Sequence, residues 1–391
     1  MVAALGDHGT WDLRRARNLG FGVDRWCFMV CLVFVVGCDE KPQAAPAPVP
    51  ASRSIDNAAD EYRSLWSACD REACRIATGF DYATDPPTSV ERPPVAWSEG
   101  ERALVELQGL VDGAVEASTH PCEFDLDRSD PFQVVGFDDR AAMAGVTRIL
   151  AHETMRRFRD GDSAGAAETF AAMIRLCRHM SQLDVMFAAG LFDRVTGVCD
   201  LMKQDRSRGL APEDAQLVLD DLAKLDPIDP MGFEANFRRE TDERLAFLRA
   251  RLQEAEPGAV LASRFQDHGI EPEQIAATQK TMSEFGPGGF WNGRFRFDDI
   301  LTVYKRESQP VASMPADEIG TRIDAAERQV DEVIVAMRTG DVDRLQRVVQ
   351  RAQRDESQIL SFVLMGAVAQ TDVARKAGVD VQAVKDSLAG R

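Results

Sequence analysis

The sequence predicts an all-α protein: an irregular array of antiparallel helical hairpins, α-solenoid or bundle-like, with at most one short β-hairpin near residue 290. Three observations predict it. Apolar residues recur three and four apart in at least eight successive segments. The alternation of strand-length and helix-length patterns that marks a βαβ chain is missing. Two long segments, 230–255 and 315–338, carry apolar residues alternately four and three apart, the seam along which two helices pack side by side.

In chain order, 55–78 places Ala58, Tyr62, Leu65, Trp66 and Cys69 on one stripe, and a Pro-rich loop follows over 79–97. Helix 98–118 carries Leu104, Leu107, Leu110 and Val111, and 119–137 reads as irregular. Helix 138–159 opens on Asp138 and Asp139, good capping residues, and turns Ala142, Val146, Ile149 and Leu150 inward. Gly161-Asp162 ends it, and 162–181 continues with Phe170, Met173, Ile174 and Cys177. Helix 184–206 carries Phe187, Leu191, Val195 and Val198. Pro212 opens a helix through Ala215, Leu219, Leu222 and Leu225, which the pairs Asp226-Pro227 and Asp229-Pro230 stop. The seam of 230–255 runs Phe233, Phe237, Thr241, Leu245, Leu248, Leu252; Pro272 opens a further helix to Phe285. The second seam runs Ile319, Ile323, Ala326, Val330, Val333, Met337, and 341–370 follows as one helix with Leu345, Val348, Val349, Ala352, Leu360, Val363 and Leu364 inward.

One punctuation occurs twice. Arg159-Asp160-Gly161-Asp162 and Arg338-Thr339-Gly340-Asp341 both put Arg in a last helical turn, Gly at the left-handed position after it, and Asp where the next helix is capped. This is αα-hairpin chemistry, but no constant repeat length accompanies it. The expected units are 55–209 and 210–391.

Lys and Arg number 46 against 64 Asp and Glu, a net charge of −18, and 45% of residues are apolar. That is too apolar for a disordered chain and too acidic to bind nucleic acid through a basic face. Residues 372–388 resemble the helix-turn-helix of bacterial repressors at Ala374, Gly378 and Val384. The same residue types serve an ordinary helical corner, and Asp380 and Asp386 stand where a DNA-reading helix needs cations, so no nucleic-acid partner is expected.

The first 38 residues read as an address. Arg14, Arg15, Arg17 and Arg25 precede a twelve-residue apolar run, 26–37, too short to span a bilayer. The run ends Val35-Val36-Gly37-Cys38, which resembles the lipobox of bacterial lipoproteins, departing from it at Val35, where that class carries Leu, and in an unusually long segment before the apolar run. The resemblance implies a signal peptide over 1–37, lipidation of Cys38 as the mature N-terminus, export, and anchoring on the periplasmic face of the cell membrane or outer membrane. The Pro/Ala-rich stretch 42–52 then reads as an extended tether within 38–54. Removing 1–37 leaves 42 basic and 61 acidic residues, net −19, so the lipid and not a basic surface would hold the protein to a membrane.

Five cysteines follow the address: Cys69, Cys74, Cys122, Cys177 and Cys199. Export favours oxidation. On one continuous helix Cys69 and Cys74 would stand about 140° apart around the axis, beyond bridging distance. The bridge left open joins Cys69 or Cys74 to Cys122, with Cys74–Cys122 the expected pair.

Candidate chemistry is sparse. His152-Glu153 lacks the second His of a zinc protease motif, and nucleophile-elbow and phosphate-loop patterns are missing, so no catalytic set, metal or cofactor is expected. Arg148, His152 and Arg156 share one helix face, and Arg175, Arg178 and His179 share a face of the next helix. In a hairpin these faces would line a groove for an anion or acidic partner, against the plainer reading of solvated faces balanced by Glu153, Asp160 and Glu168. The stretch 286–297, Gly-Pro-Gly-Gly-Phe-Trp-Asn-Gly-Arg-Phe-Arg-Phe, puts Phe290, Trp291, Phe295 and Phe297 on a tight turn suited to partner contact, or to tucking into the core. Two function classes follow: an envelope scaffold that binds a protein partner, and, as the alternative, an enzyme or small-anion binder using the His/Arg groove.

Overall fold

The computed structural model describes residues 55–77, 97–125, 131, 137–205, 209–268, 310–339, 341–364 and 366–389. Among these residues there are fourteen α-helices, one short 3-10 turn and no strand. The helices are α1 (Ala58–Ala68), α2 (Arg71–Ala77), α3 (Trp97–Glu106), α4 (Gln108–Ala117), α5 (Phe137–Asp160), α6 (Ser163–Leu183), α7 (Val185–Gln204), α8 (Pro212–Ala223), α9 (Phe233–Arg251), α10 (Pro257–His268), α11 (Ala316–Thr339), α12 (Val342–Gln353), α13 (Ile359–Val363) and α14 (Ala367–Ala389). No described helix is long and apolar enough to cross a membrane. The helix expected over 272–285, the hairpin near 290 and the whole of 1–54 lie outside the described residues.

The all-α expectation holds, and the hairpin punctuation works as the residues dictate. Gly161 takes φ +82°, the Asp162 N–H closes onto the Arg157 carbonyl at 2.9 Å, and the Asp162 carboxylate accepts from the Gly165 N–H at 2.9 Å. Thus α5 reverses directly into α6, the most extensive helix pair of the fold. At the second site Asp341 N–H closes onto Ala336 and its carboxylate accepts from Arg344 N–H at 2.9 Å, folding α12 back on α11.

The two four-three seams pack against one another. Helices α9 and α11 run antiparallel, because Glu234 at the start of α9 pairs with Arg338 at the end of α11, while Arg249 near the end of α9 reaches Asp324 and Glu327. Ion pairs of this exposed kind add little individually. The buried row of Ile319, Ile323, Ala326, Val330 and Val333 supplies the attraction, at roughly 1.5–3 kcal/mol per large side chain.

Apolar residues gather in two cores. One holds the inner faces of α1–α8 together with Phe233; the other runs from Phe237 through α10–α13 to Ala367. Leu210, Val218, Leu222 and Leu225 follow the 209/210 boundary expected from sequence, yet they lie in the first core. So do Val373, Ala377, Val381, Val384 and Leu388: α14 leaves the second core and returns to pack on α7 and α8, where Lys376 pairs with Asp193.

Four local expectations are corrected. The helix over 55–78 breaks at Cys69, whose ψ of 146° is extended, and restarts under Asp70, whose carboxylate accepts from Glu72 and Ala73 N–H groups. The helix over 98–118 is interrupted at Leu107. The helix over 341–370 stops at Arg354 because the Asp355 carboxylate takes the N–H groups of Ser357 and Leu360, with Gln358 at φ 63°. Residues 372–388, read as an ordinary helical corner, form one uninterrupted helix within α14, without the turn that a corner or a helix-turn-helix requires.

Candidate functional site

The expected His/Arg groove turns its charges inward. On α5 the Glu153 carboxylate is fully buried and receives both Arg156 and Arg157, each at 2.7 Å. Arg156 also reaches Asp160 at 3.0 Å. Arg148 and His152 stand half-buried on the preceding turns of the same helix.

On α6 the two candidate residues face different neighbours. Arg175 pairs with Asp221 of α8 at 2.6 Å and approaches the Ser118 hydroxyl beside α4 at 3.5 Å. Asp221 is 2% exposed; burial raises its carboxyl, but Arg175 and Lys224 outweigh that and hold it below the ordinary carboxylate range. His179 lies beneath α1, its Nδ1 sharing a hydrogen bond of 3.1 Å with the Tyr62 hydroxyl. Desolvation, with Arg178 and Arg175 nearby, lowers His179 to about 4, so at neutral pH it is an uncharged imidazole. Arg156, Arg175 and His179 therefore act as fasteners between and along helices.

The expected partner residues Phe290, Trp291, Phe295 and Phe297, like Cys38, lie outside the described residues. Cys122 sits beside the Ala59 N–H, where burial, with Asp139 adding to it, pushes its thiol up to about 12. The Cys74 sulfur is brought to Cys69 and not left on a separate face, because the helix breaks between them. Among the described residues, no group of three His, Cys, Asp or Glu side chains is arranged to hold a metal ion.

The structure adds a surface the sequence reading passed over. Helix α12 buries Leu345, Val348, Val349 and Ala352; half-buried Arg344 and exposed Arg347 and Arg351, with exposed Arg354 at its C-cap, follow the opposite side at spacings of three and four. With Glu332 of α11 and Gln350, the last three arginines line a shallow, open depression. Glu332 accepts Arg351 at 2.7 Å and Arg344 at 3.5 Å. No carboxylate among the described residues pairs with Arg347 or Arg354. The depression thus carries three guanidinium groups against one carboxylate, on a chain of net charge −18. The signal was legible as arginine recurring on the polar side of a strongly apolar stripe.

No family model, curated protein or solved structure matches this chain.

Proposed function

We propose that this chain is a lipid-anchored cell-envelope protein whose helical array is a docking scaffold, and that the α12 depression receives an acidic segment of a protein partner. One observation carries the docking reading: Arg347 and Arg354 present guanidinium groups at the surface, whereas Arg156, Arg157 and Arg175 are neutralised by Glu153 and Asp221. Planar guanidinium groups suit bidentate recognition of carboxylates, and a partner's acidic segment would displace only water from Arg347 and Arg354. The membrane reading rests on the arginine-rich start, the short apolar run and Cys38. Two or more acyl chains would hold the domain stably, with the 42–52 stretch as spacer.

Two measurements test this. Labelling with a palmitate analogue should mark the wild-type chain and spare Cys38→Ser; equal labelling of both overturns the anchor. Crosslinking pull-downs from the native envelope should recover a protein that the Arg347→Glu/Arg354→Glu variant loses, with the melting temperature unchanged. Equal recovery by both overturns the docking surface. A rise in melting temperature with inorganic phosphate, without any recovered partner, would favour the small-anion alternative.

A further inference from the structure

Cys74 stands five positions after Cys69, and on an unbroken helix their side chains would diverge. The chain avoids this by changing direction between them. Cys69 closes α1 in an extended conformation, with φ −70° and ψ 146°. Asp70 then caps α2: its carboxylate accepts from Glu72 N–H at 2.8 Å and Ala73 N–H at 3.2 Å, and its carbonyl accepts from Cys74 N–H at 2.9 Å. The two sulfurs come to 2.8 Å. A closure of less than about an ångström separates that contact from a sulfur–sulfur bond. The other thiols are placed differently. Cys122 and Cys177 are both buried, and burial pushes both thiols upward, which keeps them protonated. Cys69 alone among the five is half-buried rather than buried, whereas Cys74 is 5% exposed.

We propose that Cys69 and Cys74 form a reversible disulfide across the α1–α2 break, with Cys69 the residue that meets an external disulfide and Cys74 the residue that resolves it. The Cys69 thiolate attacks one sulfur of the oxidant, forming a mixed disulfide and expelling one thiolate. Cys74, deprotonated in turn, attacks the Cys69 sulfur, forms the internal bond and expels the second thiolate. The chain gives up two electrons and two protons, and the oxidant's sulfur–sulfur bond becomes two thiols. The proposal stands on this geometry and not on the lipid anchor, although an oxidising envelope would favour it.

The test uses the full chain treated with oxidised glutathione, alkylated without reduction and cut with trypsin. Cleavage after Arg63, Arg71 and Arg75 separates the two cysteines into the peptides 64–71 and 72–75. The expected product is these two peptides joined, released by reductant, with Cys122 alkylated. In Cys74→Ser the glutathione should remain on Cys69 as a mixed disulfide; in Cys69→Ser, Cys74 should stay unmodified. Alkylation of both cysteines in the oxidised wild-type protein, a stable glutathione adduct on it, or a Cys74–Cys122 linkage would each overturn the proposal. Because the wild-type result decides, a variant that failed to fold would not rescue it.

Discussion

The Tyr62 hydroxyl and Nδ1 of His179, 117 residues apart in the chain, meet at 3.1 Å inside the first core. Both groups are held in their neutral forms. Desolvation raises the Tyr62 phenol, and desolvation with Arg178 and Arg175 lowers His179. The bond ties α1, the first described helix, to the middle of α6.

This pair predicts a pH dependence. Folded His179 titrates at about 4 against 6.5 when unfolded, so between these values the unfolded chain binds more protons. Its contribution, about 3 kcal/mol on that difference, is complete above pH 6.5 and is lost as pH falls toward 4. Urea midpoints of the wild type should decline across that window more steeply than those of His179→Gln. Parallel declines would contradict it.

Arg175→Ala should cost about 3–5 kcal/mol, because it leaves the Asp221 carboxylate buried with only Lys224. Lys224→Ala should cost under about 1 kcal/mol, since that side chain is 54% exposed. Chemical denaturation of the two variants checks the order.

Two glycines should resist alanine for opposite reasons. Gly161 has open space around it, so Gly161→Ala costs only its left-handed backbone, about 1–2 kcal/mol. A Cβ at Gly145 would collide with the Trp66 ring, so Gly145→Ala forces the α1–α5 contact apart, costing about 1–3 kcal/mol. Trp66→Leu should partly restore the second variant and leave the first unchanged in thermal melts.

Leu388→Ala, although nearly at the end of the sequence, should cost about 2–4 kcal/mol, as a core leucine does. Exposed Val379, on the same helix, should tolerate alanine within about 0.5 kcal/mol. Calorimetry of both substitutions distinguishes a docked α14 from a loose tail.

The helices from α5 to α9, and α11, were legible because each keeps an apolar stripe between clear stop and start residues. Asp70 concealed a break because the stripe of α1 points straight into Cys69, and the apolar spacing alone does not register a change of direction. A helix-face pattern also shows which residues share a side without showing what covers it. Arg175 and His179 therefore read as an open cationic face, although Asp221 and Tyr62 arrive from 46 residues after Arg175 and 117 before His179. The stripe Val373, Ala377, Val381, Val384, Leu388 was present to be read, but Gly378 drew attention to a turn that a helix carries without breaking.

The return of α14 sets an order on biogenesis. The residues that complete the first core, 373–388, are synthesised after all the helices they cover, and Lys376 meets a carboxylate 183 positions earlier. Helices α1–α8 can emerge and assemble locally, but α7 and α8 keep an uncovered apolar flank until residues 373–388 arrive. Such long-range closure is slow. Chains cut short before residue 373 would display that apolar flank to chaperones and proteases.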